Sequence, residues 1–357
     1  MSLCALLMVK NEASRISVTV QSLQNLVDAI VLFDTGSDDD TIKIVQETSK
    51  IPVHVKIGSF TDFATSRNEA LDFADSCGYD YILLVDANEE FIGSIDRSQL
   101  DNAQCWYMVY RYKYGPHHST VYKNIKLIKS NIGIRFVGKV HEYLAVGSTP
   151  TDMIHSCHVF QDRTLDDDKS KKRWVRDLDI LKEEYEKDPT NTRTLFYLAQ
   201  TCSCLDLKDQ AYKYYKERTL QKGYEEERFY SFLKCGEYCP LEEALYWFSE
   251  AHNHSPNRVE PLIALANIHM QCKKYSIAYL YLKLACMTTP NTDMLFVNQH
   301  QYDYERWHKM SIVAFYAAKE GVFDSSQLLL EGKTACEIAI KTGCNVDRDE
   351  KNLAFYK

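Results

Sequence analysis

Four polar clusters in the first 142 residues carry side chains that together could hold a nucleotide and a divalent cation. They are Lys10-Asn11-Glu12, Asp34-Thr35-Gly36-Ser37, Ser66-Arg67-Asn68-Glu69 and Asp86-Ala87-Asn88-Glu89. The first, second and fourth each close a short apolar run: Leu7-Met8-Val9, Leu32-Phe33 and Leu84-Val85. A parallel strand delivers side chains in this way to the carboxyl edge of an open α/β sheet, where ligands bind. Asn and Glu, then Asp, then Asp, Asn and Glu supply hard oxygen donors at three such edges. The chemistry implied is that of an enzyme using a nucleotide-activated donor.

Residues 1–165 have the alternation needed to place those clusters. Segments 3–9, 29–33, 53–57 and 81–85 read as buried strands, with helices over 14–26, 40–48 and 64–76 between them. Asp38-Asp39-Asp40-Thr41 puts an N-cap and negative charge at the start of the second helix. Segments 105–112, 125–128 and 135–137 read as strands of a mixed extension. An acidic run at 166–168, followed by basic residues over 169–176, closes this half and reads as a solvated helix face.

From about Trp174 the pattern turns helical and repeats. Ala211, Ala244 and Ala278 stand 33 and 34 residues apart, each opening an aromatic and aliphatic run. Pro256 and Pro290 are 34 apart, and Pro189 precedes Ala211 by the 22 residues that separate Pro256 from Ala278. That period is the one of tetratricopeptide helix pairs, which need small residues where the two helices cross. A fourth unit fits if about 14 extra residues follow Pro290, with Ser326 in the Ala place. The predicted organisation is an α/β domain over 1–165 and an all-α, tetratricopeptide-like helical repeat domain over 174–345.

The bulk composition excludes several classes. The 357 residues exceed one ordinary core. A net charge of −8 argues against a nucleic-acid surface. The twelve cysteines form no recurring CxxC pair, so neither a zinc ribbon nor a disulfide framework is expected. Segment 3–9 is too short for a signal-peptide core, and no run approaches the roughly 20 apolar residues of a membrane span. The expectation is a cytoplasmic protein without a transmembrane segment. His117-His118 and Cys202-Ser203-Cys204 read as loop and helix fillers.

The N-terminal half resembles family-2 glycosyltransferases of the GT-A fold, with its Rossmann-like mixed sheet. The stretches that carry the resemblance are Met8-Val9-Lys10-Asn11-Glu12, Asp34-Thr35-Gly36-Ser37 with Asp38 and Thr41, residues 60–70, Asp86-Ala87-Asn88-Glu89 and Gly138-Lys139-Val140-His141-Glu142. Together with Phe196-Tyr197-Leu198-Ala199-Gln200 and Glu225-Glu226-Glu227-Arg228-Phe229-Tyr230, they are similar to the subgroup that fuses this domain to tetratricopeptide repeats. The bacteriocin S-glycosyltransferases belong to that subgroup.

The resemblance implies inverting transfer of a hexose or N-acetylhexosamine from a UDP-sugar to a protein, glycan or lipid-linked acceptor. It implies that Asp34 accepts from the uracil imide, with Arg67 against the base, Glu12 on the ribose, and Val9, Asn11, Asp86 and Ala87 lining the donor pocket. Asp86 and Asn88 take the Asp-x-Asp place that holds Mn²⁺ or Mg²⁺. Asn88 brings no charge there, and Glu89 is the nearest carboxylate that could compensate. His158, in His155-Ser156-Cys157-His158, is the one His expected on the cation. Glu142 takes the general-base place, with His141 orienting the acceptor or acting as the base itself. The repeats would shape the acceptor cleft or form a homodimer.

The residues alone leave other readings open. Asp34 with Gly36-Ser37 also makes a capped turn, Asp86-Asn88 an acidic strand end without metal, and His141-Glu142 a surface turn. His158 can be a partly buried strand His. A tetratricopeptide adaptor with a degenerate sugar-nucleotide domain is the rival function. A nucleotidyltransferase ranks below it, because residues 10–15 hold no Gly for a triphosphate loop.

Overall fold

The computed structural model describes residues 1–113, 119–162, 167–289, 293 and 295–356. His117, His118 and Pro290 lie outside the described residues, as does Asp166 of the acidic run. The chain divides into two compact units, Met1–Ser170 and Lys171–Lys357.

Unit 1 is built on β1 (Leu3–Val9), α1 (Ile16–Leu23), β2 (Ala29–Asp34), α2 (Thr41–Thr48), β3 (Val53–Ile57), α3 (Phe63–Ser76) and β4 (Tyr81–Val85). Then come β5 (Glu90–Gly93), β6 (Cys105–Lys113), β7 (Ser119–Lys129), β8 (Phe136–Val137), β9 (Tyr143–Leu144) and β10 (Thr151–Asp162). The main sheet runs β3-β2-β1-β4-β7-β6-β10-β5, with β8 and β9 as a separate hairpin. The strands β3, β2, β1 and β4 are mutually parallel, and β7 joins β4 antiparallel. This is the mixed α/β sheet expected of the GT-A class.

The alternation along β1 explains the layering. Leu3, Ala5, Leu7 and Val9 pack with Ile16, Val20 and Leu23 of α1 and Val45 of α2. Cys4 and Leu6 pack on the other face with Ala70, Leu71 and Ala74 of α3. A parallel strand covered on both faces is apolar throughout, which is why the first polar side chains appear only where it ends.

Unit 2 is helical. After α4 (Asp167–Lys187), four pairs follow: α5 (Thr192–Cys204) with α6 (Lys208–Thr219), α7 (Glu225–Tyr238) with α8 (Leu241–His254), α9 (Glu260–Gln271) with α10 (Tyr275–Met287), and α11 (Arg306–Glu320) with α12 (Ser325–Lys341). A short α13 (Val346–Leu353) ends the series, and from α5 onward each helix packs on its successor. That nearest-neighbour packing is the tetratricopeptide-like architecture. Ala211, Ala244 and Ala278 are buried, each one turn into the second helix of its pair. Ser326 does not take the equivalent place in the fourth pair, because it is exposed. The close approach there falls on Gly332, whose Cβ would stand 2.8 Å from the Ala314 methyl of α11. A π-helical turn at Gln301–Glu305 leads into α11, and this longer connection shifts the fourth pair out of the 34-residue register.

Candidate functional site

The ends of β2, β1 and β4 lie side by side, since Val9 is in register with Asp34 and Leu7 with Val85. Past these ends the chain must turn away from the sheet, and polar side chains close the turns. Thr35 N and Oγ1 both donate to Val9 O, at 2.9 and 3.0 Å. Asp34 Oδ1 accepts from Gly36 N at 2.8 Å and Ser37 N at 2.7 Å, with Gly36 at φ +99°, a backbone region open to glycine. Asn11, itself at φ +55°, donates from N to Ser37 Oγ and accepts at Oδ1 from Asp38 N, both at 2.9 Å. Val9, Asn11 and Asp34 are thus brought together in one rigid corner.

Asp34 is 1% exposed, and its Oδ2 has no hydrogen-bond partner among the described residues. A buried acceptor left open costs free energy unless something else donates to it. Glu12 is placed differently from a free ribose ligand. Its N donates to Thr41 Oγ1 at 2.8 Å, and its carboxylate is gripped by the Arg15 guanidinium, with Nη2 to Oε1 at 3.0 Å and Nε on Oε2.

The other half of the site gathers around Arg67 on α3. Asp62 caps that helix by accepting from Thr65 N at 2.8 Å, and Ser66 is buried beneath it. Arg67 Nη2 donates to Asp86 Oδ1 at 2.7 Å and its Nε to Glu142 Oε1 at 2.8 Å. Its guanidinium also lies 5.5 Å from the Phe136 ring centre. Burial disfavours its charge, but Asp86 and Glu142 outweigh burial and raise its pKa. Asn68, one residue on, donates to Phe136 O at 2.9 Å and accepts from Phe136 N at 2.8 Å. These bonds dock the β8–β9 hairpin on α3, and the hairpin's loop carries His141 (φ +50°) and Glu142.

The Asp86–Glu89 turn is held from below. Ala87 O accepts from Thr19 Oγ1 at 2.9 Å, and Asp86 N donates to Glu89 Oε2 at 2.9 Å. Glu89 does not stand ready to replace the missing carboxylate at Asn88. It is buried, pairs with Lys126 Nζ at 2.8 Å, and accepts from Tyr110 Oη. Asn88 remains half-buried in the same turn as Asp86. His158 on β10 pairs across to Ile92 and Val109, and its ring makes no hydrogen bond or ion pair among the described residues. Burial, together with the charge of Arg111, lowers its pKa. Among the described residues no group of three or more His, Cys, Asp or Glu side chains is placed to hold a metal ion. Asp86 and Asn88 offer one carboxylate and one amide oxygen, a hard donor pair that a diphosphate would complete.

Sequence reading placed Asn68 in a polar cluster without giving it a role, and did not single out Arg15, Tyr110 or Lys126. Lys126 alone left a signal, as one cation inside the apolar run 125–128.

Residues 4–128 match the model of Glycosyl transferase family 2. The SPbeta prophage-derived glycosyltransferase SunS of Bacillus subtilis is 26% identical over 225 residues, which are 59% of this chain and 51% of that protein. A TPR repeat-containing protein of Synechococcus elongatus is 31% identical over 145 residues, 40% of this chain and 34% of that protein. The crystal structure of S. aureus TarS 1-349 in complex with UDP-GlcNAc aligns over 91% of this chain and 95% of that chain, at 11% identity and a TM-score of 0.38. The chain spans about half the length of the SunS relatives it matches. No described helix is long and apolar enough to cross a membrane. The glycosyl transferase family 2 match thus falls within the α/β part of the chain, and the tetratricopeptide-like helical repeats follow it.

Proposed function

We propose that the protein transfers a hexose or N-acetylhexosamine from a UDP-sugar to an acceptor, with inversion at the anomeric carbon. The observation that carries this reading is the Arg67 bridge. One guanidinium contacts both Asp86, at the donor edge of the sheet, and Glu142, at the place of the general base. In this reading the uracil imide donates to the open Oδ2 of Asp34, and Val9 and Asn11 wall the same corner. Glu12 reaches the ribose from its Arg15-held position, and Ala87 lines the diphosphate end beside Asp86.

Asp86 and Asn88 would hold Mn²⁺ or Mg²⁺, which neutralises charge on the departing UDP. Glu142 takes the proton of the acceptor hydroxyl or thiol as that atom bonds to the anomeric carbon. The bond from that carbon to the UDP oxygen breaks in the same displacement, and the electron pair leaves with UDP. His141, next in the loop, orients the acceptor.

A non-catalytic adaptor that only binds sugar nucleotides is the second reading, and Asn88 favours it. A thermal-shift panel of UDP- and GDP-sugars with and without Mn²⁺ tests the donor, because a ligand of the native state raises the melting temperature. Stabilisation by UDP-sugars with release of UDP on incubation supports transfer. Stabilisation without any turnover selects the adaptor, and no response to any sugar nucleotide of the panel overturns both.

A further inference from the structure

Beneath the Asp86–Asn88 turn lies a buried charge pair that the reading above leaves without a role. The Lys126 and Glu89 side chains are 6% and 1% exposed and meet at 2.8 Å. Glu89 Oε2, the atom that faces Lys126, also accepts from Asp86 N, while Oε1 takes the Tyr110 hydroxyl. Lys126 Nζ lies 5.2 Å from the Tyr110 ring centre, and Tyr110 is stacked on Tyr122 at 4.6 Å. Glu89 therefore has no freedom to turn, and the peptide that carries Asp86 is fixed to it.

A β-bulge makes this arrangement possible. β7 pairs with β6 through Leu127↔Trp106 and then Ile125↔Tyr107, so Lys126 is the extra residue. The extra residue sends Leu127 and Ile125, two apart in sequence, into opposite core layers. Without it, period-2 alternation would place both on one face. Bulges commonly re-aim a side chain beside a functional site.

Stability does not account for the pair. Removing two ions from water costs about as much as their attraction returns, and apolar residues of similar volume often serve as well. An apolar pair, however, could not accept from the Asp86 amide. We propose that Lys126 and Glu89 are positioning residues for the donor end of the site: the ion pair fixes the Asp86 peptide so that the Asp86 carboxylate and Asn88 amide face the diphosphate. This inference rests on the UDP-sugar reading above. Removing the Lys126 cation alone leaves the Glu89 carboxylate buried without its 2.8 Å partner, so it no longer has a fixed position from which to accept from Asp86 N.

The test measures UDP affinity in the presence of Mn²⁺, together with the melting temperature of the full chain, for wild type, K126M, the K126M/E89Q double variant and Y110F. K126M should weaken UDP binding about tenfold, the effect of losing one strong positioning contact. The double variant should recover most of that loss, because the carbonyl of the introduced amide can accept from Asp86 N with no unpaired charge below it. Y110F should weaken binding in the same direction but less. UDP affinities equal to wild type in K126M and Y110F, with only the melting temperature lowered, would overturn the proposal. Should K126M fail to fold, Y110F alone decides. A wild-type protein that binds no UDP refutes the donor reading instead, so the two failures are distinguishable.

Discussion

Arg67 Nε donates to Glu142 Oε1 across 2.8 Å, joining residues that stand 75 apart in the chain. The same guanidinium reaches Asp86 through Nη2. A planar fork can serve two carboxylates at fixed angles, which a lysine ammonium cannot do. Arg67 therefore links the strand end where a donor diphosphate would sit to the hairpin loop where an acceptor would be deprotonated.

Glu142→Gln keeps the shape of that contact but removes the proton acceptor. Transfer should slow by roughly 10²–10⁴-fold. UDP affinity should hardly move, because Arg67 keeps Asp86 as its partner. Turnover and UDP titration measured on one preparation separate the two effects. Near-native turnover would remove Glu142 from the chemistry and point to His141.

Asp34→Ala removes both the cap on Gly36 and Ser37 and the open acceptor at Oδ2. Losing a charge-assisted hydrogen bond costs ~1.5–3 kcal/mol, so UDP should bind about tenfold more weakly or worse. The preference for UDP over GDP should shrink with it. A variant that still favours UDP by the wild-type ratio would place base recognition elsewhere.

Asn88→Asp restores a second carboxylate in the Asp86 turn. In a Mn²⁺ titration with UDP present, the midpoint should move to lower metal concentration, since an added carboxylate oxygen is the better ligand for a hard cation. An unchanged or higher midpoint means that residue 88 does not touch the metal.

Asn68→Ala cuts the two bonds that dock the hairpin through Phe136. Urea unfolding should show a loss of about 1–3 kcal/mol, as expected when backbone groups lose their partners. Transfer should fall as well, because the loop carrying Glu142 is then held to α3 through Arg67 without the Phe136 bonds. Stability within about 0.5 kcal/mol of wild type would show that the docking does not depend on Asn68.

The sequence alone determined the four parallel strands, the helices between them and the places where polar residues replace apolar ones. Those follow from local periodicity, since a strand covered on both faces stays apolar until it leaves the sheet. It also determined the helix pairs marked by Ala211, Ala244 and Ala278, which recur at the repeat spacing and are buried. The fourth pair was legible as well, once an insertion after Pro290 was allowed, but its small residue is Gly332 and not the expected Ser326. Only the tertiary structure decided what each polar side chain faces. Glu89, one residue from Asn88, turns inward to a lysine 37 positions later, because a bulge in β7 re-aims Lys126. Arg67 meets Glu142 where Asn68 docks a distant hairpin on the same helix. Such pairings depend on which strands become neighbours and where one residue is inserted between them, and neither leaves a periodic mark in the chain.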